Sequence, residues 1–271
     1  MIKIVTIDLD GALFDKDKNI TWDNKLAIAK CHDLGVKIVI ATGRPISGVL
    51  PVLNELGLNS TSDYAIIYNG TQIINVGSGE VISSTFITGD VVKELYAESL
   101  RLGVHIHAFR LNGELITTKH NPYTDVESKI NHVEDHLFDF NKIKDDDKFI
   151  KCMLVDSEEN ITRIMKEVNE KYYTEYSMVR SSKIFLEFLK KGVEKGSALK
   201  SLASYLNVKM EDTMAIGDAG NDITMIKAAG IGVAMKNAFP EVKEIADYIT
   251  ENDNNNSGVA EVLNKYIINS L

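Results

Sequence analysis

Two kinds of apolar pattern alternate along this chain. The first is a short continuous run, rich in β-branched residues and bounded by acids, glycine or asparagine: IKIVTIDLD at 2–10, VKIVIATG at 36–43 and DYAIIYNG at 63–70. Such runs read as buried strands. The second is a longer stretch in which apolar residues recur every three or four positions, the period of a helix that buries one face. Thr21 stands where an N-cap belongs, ahead of a helix to about Leu34 that Gly35 closes. Arg44-Pro45 opens another helix, running to about Leu56 with Gly57 behind it. Strand alternating with helix predicts a parallel α/β sheet.

The pattern changes after about Ile82. A helix in DVVKELYAESLRLG is followed by two strand-like runs in HIHAFRLNGELITT, which meet at Asn112-Gly113, a hairpin signal. A polar stretch near 142–148 leads to a strand in FIKCMLVD and a helix in ENITRIMKEVNEKY. The paired runs YSMVRS and KIFLEFL come next. Helix then paired antiparallel strands, given twice, is an α+β pattern, and it predicts a separate domain over 83–190 inserted into a core of 1–82 and 191–271. From Lys195 the α/β alternation resumes: helix KGSALKSLASYLN, strand TMAIGD, helix NDITMIKAAG, strand IGVAM, helix AFPEVKEIAD, strand YIT and helix SGVAEVLNKYI. The asparagine-rich ENDNNNSG reads as a loop.

Composition narrows the classes. With 271 residues, 44% of them hydrophobic, the chain can bury a sizeable core without a disulfide or metal staple. A formal net charge of −9 argues against a nucleic-acid binder, whose phosphate contacts need a basic face. It leaves room for a small phosphorylated ligand, because a few local cations and a metal suffice to hold one phosphate. Cys31 and Cys152 sit in or beside apolar runs and read as reduced, buried thiols. The start shows none of the features of a secretory signal, and no apolar stretch approaches about 18 residues, the length of a membrane span. The expectation is a cytoplasmic protein that does not engage a membrane.

Candidate chemistry gathers at strand ends. Asp8 and Asp10 lie two apart as the first strand finishes, so they share a face. Two carboxylates there suit a hard cation with oxygen ligands such as Mg²⁺, or form a solvated acidic turn. Thr42-Gly43 offers a hydroxyl and backbone N–H groups to a phosphate, or is an ordinary strand-to-helix turn. Lys195 alone reads as helix surface. Asp218, Asn221 and Asp222 bind a metal or cap a helix. Taken together they are more telling, since ligands in open α/β sheets bind beyond the carboxyl ends of the strands. A carboxylate, a second acid, a hydroxyl, a lysine and a metal-binding acid fit phosphoryl transfer.

DLDGALF, ATGR, the KG of GVEKGSAL, and GDAGND resemble, in order, the four motifs of the haloacid dehalogenase superfamily. With YNG, the stretches GVEKGSALKSLASYLNV and AIGDAGNDITMI look like its Cof-type branch, which includes the YidA-like sugar phosphatases. The resemblance implies an α/β fold with a Rossmann-like parallel sheet core and an inserted α+β cap over 83–190 that selects the substrate. It implies a Mg²⁺-dependent phosphatase in which Asp8 is nucleophile and metal ligand. Asp10 would be general acid and base and bind the metal through its carbonyl. Leu9, Thr42, Gly43, Lys195 and Asn221 would hold phosphate, and Asp218 would bind Mg²⁺. Asp222 would support the metal shell, while Arg44 and Asn69 sit where the family faces its cap. Ala12 departs from the family's usual threonine, which removes a hydroxyl that would bond nearby backbone.

Sugar phosphates are the first expectation for the substrate, by analogy alone. A phosphotransferase or mutase shares all four motifs, and a phosphate-binding homologue with weakened catalysis would differ at a position such as Ala12. A receiver-type signalling module would be about half as long and carry its acceptor aspartate on a later strand. His105 and His107 share a strand face, with His120 near them; they read as histidines on a half-exposed surface or as substrate contacts of the inserted domain. Tyr172, Tyr173 and Tyr176 read as packing of the inserted domain.

Overall fold

The computed structural model describes residues 1–270. Strand β1 (Ile4–Ile7) is followed by α1 (Trp22–Asp33), β2 (Lys37–Ala41), α2 (Ile46–Glu55), β3 (Tyr64–Ile67), β4 (Gln72–Asn75) and β5 (Val81–Ser84). Then come β6 (Ile87–Thr88), α3 (Gly89–Leu102), β7 (His105–Arg110), β8 (Leu115–Thr117), α4 (Pro122–Asn131), β9 (Asp135–Leu137) and β10 (Lys148–Val155). They are followed by α5 (Glu158–Glu167), α6 (Lys171–Glu175), β11 (Tyr176–Ser182) and β12 (Phe185–Lys190). The chain closes with α7 (Lys195–Tyr205), β13 (Thr213–Gly217), α8 (Ile223–Ala228), β14 (Ile231–Ala234), α9 (Pro240–Lys243), β15 (Tyr248–Ile249) and α10 (Gly258–Tyr266). Among the described residues no helix is long and apolar enough to cross a membrane.

The chain forms two compact units. The first comprises Met1–Gly43, Leu50–Ser84 and the chain from Glu194 on; the second comprises Thr85–Val193 with Arg44–Val49. The first holds an eight-stranded sheet in the order β15-β14-β13-β1-β2-β3-β4-β5. From β15 to β3 every pairing is parallel. The order runs outward from β1 to β3 on one side and from β13 to β15 on the other. The boundary between β1 and β13 is therefore the topological switch point, beside whose carboxyl ends open α/β sheets bind their ligands. β1 and β13 are buried at every residue, as a strand covered on both faces must be. Thr21 caps α1 by accepting from Asn24 N–H, as its position ahead of the helix predicts. The hairpin β4–β5 adds two antiparallel strands from 72–84, a stretch that the sequence left without elements.

The second unit is built on a sheet ordered β11-β12-β10-β7-β8-β9, with β6 also paired to β10. All its pairings are antiparallel except that of β8 with β9. Val92 and Leu95 from α3 and Ile161 and Ile164 from α5 pack with Ile106, Ala108, Cys152, Leu154 and Phe188 in one cluster. Alternate residues of the same strands are His107, Lys151 and Glu187. His107 is fully buried, not half-exposed, bonded to Thr124 Oγ1 (3.0 Å) and Met153 Sδ (3.1 Å). Burial and the nearby Lys151 ammonium pull its pKa down to about 3. Lys151 itself is buried against Glu127 and Glu187, at 3.4 and 3.3 Å. Tyr172 is buried against Phe188 and Tyr176, whereas Tyr173 is 44% exposed. His120 pairs with Asp135 at 2.8 Å.

One expected helix is two. The run 159–172 breaks at Val168, which is extended (φ −62°, ψ 142°). Glu98 of α3 captures the Asn169 N–H at 3.0 Å, so a tertiary hydrogen bond replaces the helical one. Cys31 and Cys152 are both free thiols and both buried.

Candidate active site

Asp8 comes directly after β1, and its N–H donates to Ile216 O of β13 at 3.0 Å, which fixes it beside the switch point. The chain then turns back: Leu13 N–H donates to Asp8 O and Phe14 N–H to Leu9 O. Lys195, the first residue of α7, is fully buried and donates to Asp8 Oδ1 at 2.5 Å and to Asp222 Oδ1 at 2.7 Å. Asp222 Oδ2 accepts the N–H groups of Asp218 (2.9 Å) and Ala219 (3.1 Å). The Asp222 carboxylate lies so close over Gly217 that an added Cβ there would stand 2.5 Å from it. Both Asp222 oxygens are thus engaged in holding Lys195 and the turn after β13.

Asp8, Asp218 and Asp222 bring ligand atoms within 4.8 Å of one another, all three buried. Against these three carboxylates stands one bonded ammonium, Lys195, which leaves two negative charges if all are ionised. Asp218 Oδ1 is buried with no hydrogen-bond partner. Buried carboxylate oxygens without partners are costly. Burial pushes the Asp218 carboxyl up to about 7, with Asp222 adding to the rise and Lys195 opposing it. Burial likewise raises Asp8 well above the usual carboxylate range; Lys195 opposes this, and Asp222 and Asp218 reinforce it. Burial acts to lower the Lys195 pKa, but Asp222 and Asp8 together outweigh it and hold the ammonium above its ordinary value. A divalent cation fits this donor set in charge, in ligand type and in the partner it would give Asp218 Oδ1. Asp8 and Asp218 would hold it.

Asp10 stands apart from that group. Its carboxylate is partly exposed and pairs with Lys18 at 2.6 Å. A metal contact from Asp10 would come from its backbone carbonyl. Lys18 escaped the sequence reading because nothing marks it out within the polar segment DKDKN.

The remaining candidates follow the ends of other strands. Thr42, after β2, gives its N–H to Ile66 O and its carbonyl to Asn69 N–H, both at 2.9 Å. Its N–H is therefore already engaged by β3. Asn69 sits in a 3-10 turn, Tyr68–Gly70, with a left-handed backbone (φ 56°). Its side chain accepts from Asn221 Nδ2 at 3.1 Å and lies against Gly43. Leu9 buries its side chain completely. Arg44 falls in the Arg44–Val49 segment of the second unit. The first unit thus gathers Asp8, Lys195, Asp218 and Asp222 into one contiguous group, with Asn69, Asn221 and Gly43 in a second.

The sequence model of the haloacid dehalogenase-like hydrolases matches residues 5–263. The chain belongs to that family. It is an enzyme, a hydrolase of the phosphatase type, and its relatives agree. A Streptococcus pyogenes serotype M6 protein, named only as a candidate phosphatase, is 37% identical over 99% of both chains. The 5-amino-6-(5-phospho-D-ribitylamino)uracil phosphatase YcsE of Bacillus subtilis is 30% identical, over 98% of this chain and 96% of its own. A solved haloacid dehalogenase-like hydrolase from Bacteroides thetaiotaomicron superposes with a TM-score of 0.86 at 32% identity, covering 98% of this chain and 99% of that one.

Proposed function

We propose that this phosphatase uses Mg²⁺ and hydrolyses a small phosphorylated metabolite, a sugar or sugar-alcohol phosphate, through an aspartyl-phosphate on Asp8. The observation that carries this reading is the buried Lys195 ammonium bonded to Asp8, beside an Asp218 oxygen that lacks any partner. An Asp8 carboxylate oxygen bonds to phosphorus as the ester P–O bond breaks, and Asp10 gives a proton to the leaving oxygen. Asp10 then takes a proton from water, whose oxygen bonds to phosphorus and frees phosphate and the Asp8 carboxylate. Lys195 holds the attacking carboxylate in place and offsets charge on the phosphoryl group. The Thr42 hydroxyl, Leu9 backbone, Gly43 and Asn221 bind phosphate oxygens, while Asp222 fixes Lys195. Bound Mg²⁺ supplies neutralisation of Asp8, Asp218 and the phosphate.

The substrate class rests on the relative whose name places its phosphate on a ribityl chain. A panel of sugar, sugar-alcohol and nucleotide phosphates, assayed with Mg²⁺ and after EDTA, tests both parts. Release of phosphate from sugar or sugar-alcohol phosphates with Mg²⁺, and none after EDTA, is expected. Full turnover by metal-free protein contradicts the metal role, and exclusive turnover of nucleotides contradicts the substrate class.

A further inference from the structure

Gly11, next to Asp10, is held from two sides. Its φ is +94°, and an added Cβ would lie 2.3 Å from Asp218 Oδ2, so the Asp218 carboxylate passes directly over it. Only glycine accepts both conditions. On the other side its carbonyl accepts from Asn237 Nδ2 at 2.8 Å. Asn237 lies between β14 and α9, in a segment anchored to the end of β13. Met235 N–H donates to Gly217 O at 3.0 Å, and Phe239 N–H to Asp218 O at 2.9 Å. The far end of the Asn237 amide accepts from Asn254 N–H at 3.1 Å, which sets the amide with its NH₂ toward Gly11. The asparagine tract then secures the rest of the turn: Asn254 Nδ2 donates to Phe14 O at 2.8 Å, and Asn255 Oδ1 accepts Lys16 N–H at 2.9 Å.

We infer that Asn237 is a positioning residue of the active site, setting the Asp8–Asp10 turn against Asp218. The inference rests on the proposed aspartyl-phosphate chemistry. The segment from Met235 to Phe239 is a bracket with one arm on the end of β13 and the other, through Asn237, on the turn after β1. Asp218 belongs to the chain held by the first arm and Asp8 to the turn reached by the second, with their ligand atoms within 4.8 Å, and the distance between them sets the gap for a cation and the line of attack on phosphorus. Displacements of about an ångström at such a site cost large factors in rate. Asn237 is exposed. Truncating it opens no cavity, and Gly11 O can turn to water, so the fold should tolerate the change while the spacing relaxes.

The test compares Asn237→Ala and Asn237→Asp with wild type in three measurements. They are kcat and KM for p-nitrophenyl phosphate, Mn²⁺ binding to substrate-free protein by titration calorimetry, and the thermal midpoint in EDTA. Asn237→Asp keeps the volume and the acceptor for Asn254 but cannot donate to Gly11. Both variants should lose kcat by about tenfold with KM little changed, and bind Mn²⁺ about tenfold more weakly, the lower end of the cost of losing outer-sphere support. The midpoint in EDTA should stay near wild type. Unchanged kcat and Mn²⁺ affinity, or a fall in the midpoint alone, overturns the positioning role while leaving the reaction intact. A wild type that neither turns over nor binds Mn²⁺ overturns the reading of the site itself, and the positioning role with it.

Discussion

Asp222 and Asp218 show what a motif can and cannot say about a carboxylate. Both belong to GDAGND, yet Asp222 spends its two oxygens on Lys195 and on two backbone N–H groups, while Asp218 keeps one oxygen without a partner. Residue identity and spacing made the whole acidic set legible. The division of labour came only from the family resemblance, because residue type and spacing alone do not show how the turn after β13 folds back over Gly217. Lys18 and Asn237 were illegible for a plainer reason: a lysine or asparagine in a polar loop has no periodicity that separates a functional partner from a solvated side chain. Ala12 also changes meaning. From the sequence, threonine there would add a stabilising hydrogen bond; in the structure Ala12 is fully buried. Ala12→Thr forces an oxygen and a methyl group into packed space, a change that typically costs about 1–3 kcal/mol. A melting temperature lower by several degrees is expected, at about 2–4 °C per kcal/mol for a protein of this size class. A midpoint equal to or above wild type would mean that the turn has room and a partner for the hydroxyl.

Among the elements, those with a clean period were readable and those defined by tertiary capture were not. The parallel strands announced themselves as β-branched runs ending at Asp8, Thr42 and Asp218. β4 and β5 are short and lie among polar residues, so only the pairing of β4 with β3 and of β5 with β4 reveals them. α4 begins at Pro122 with Asn121 as its cap, a start signal that the hairpin ahead of it obscured. The break between α5 and α6 depends on Glu98, some 70 residues away in sequence. Asp63, just before β3, is a similar long-range clip. Its carboxylate accepts from Ser60 N–H (2.8 Å) and Ser60 Oγ (2.6 Å) and pairs with His32 of α1 at 3.0 Å. Burial alone would raise its pKa, but the Ser60 and His32 contacts outweigh it and hold the carboxyl below its ordinary value. A depressed acid contributes stability above its unfolded pKa, about 3.9, and that contribution is lost as pH falls through the lower folded value. Asp63→Asn should therefore melt below wild type at pH 7, by about 2 kcal/mol for hydrogen bonds to a charged group. The gap should close in melts carried out progressively below about pH 4. A gap that persists or widens in acid would show that the ionised carboxylate is not what holds the clip.

At the scale of the whole molecule, the candidate cation site lies entirely within the first unit, at the point where its strand order reverses. The second unit has a core of its own. A ligand that binds only the folded first unit must raise the stability of that unit, by about 2.7 kcal/mol at one hundred times its dissociation constant. Calorimetry should show a Mg²⁺-dependent upward shift that EDTA reverses and that Asp218→Asn removes; an equal shift in that variant would place the bound ion elsewhere. The central claim is the covalent bond to Asp8, and it can be read directly. Protein quenched during turnover of a good substrate is treated with borohydride, which reduces an acyl phosphate to an alcohol, and its peptides are analysed by mass spectrometry. Homoserine at position 8, absent without substrate and absent from Asp8→Asn, is the expected result. An unmodified Asp8 during turnover, the product at another carboxylate, or wild-type turnover by Asp8→Asn would contradict it.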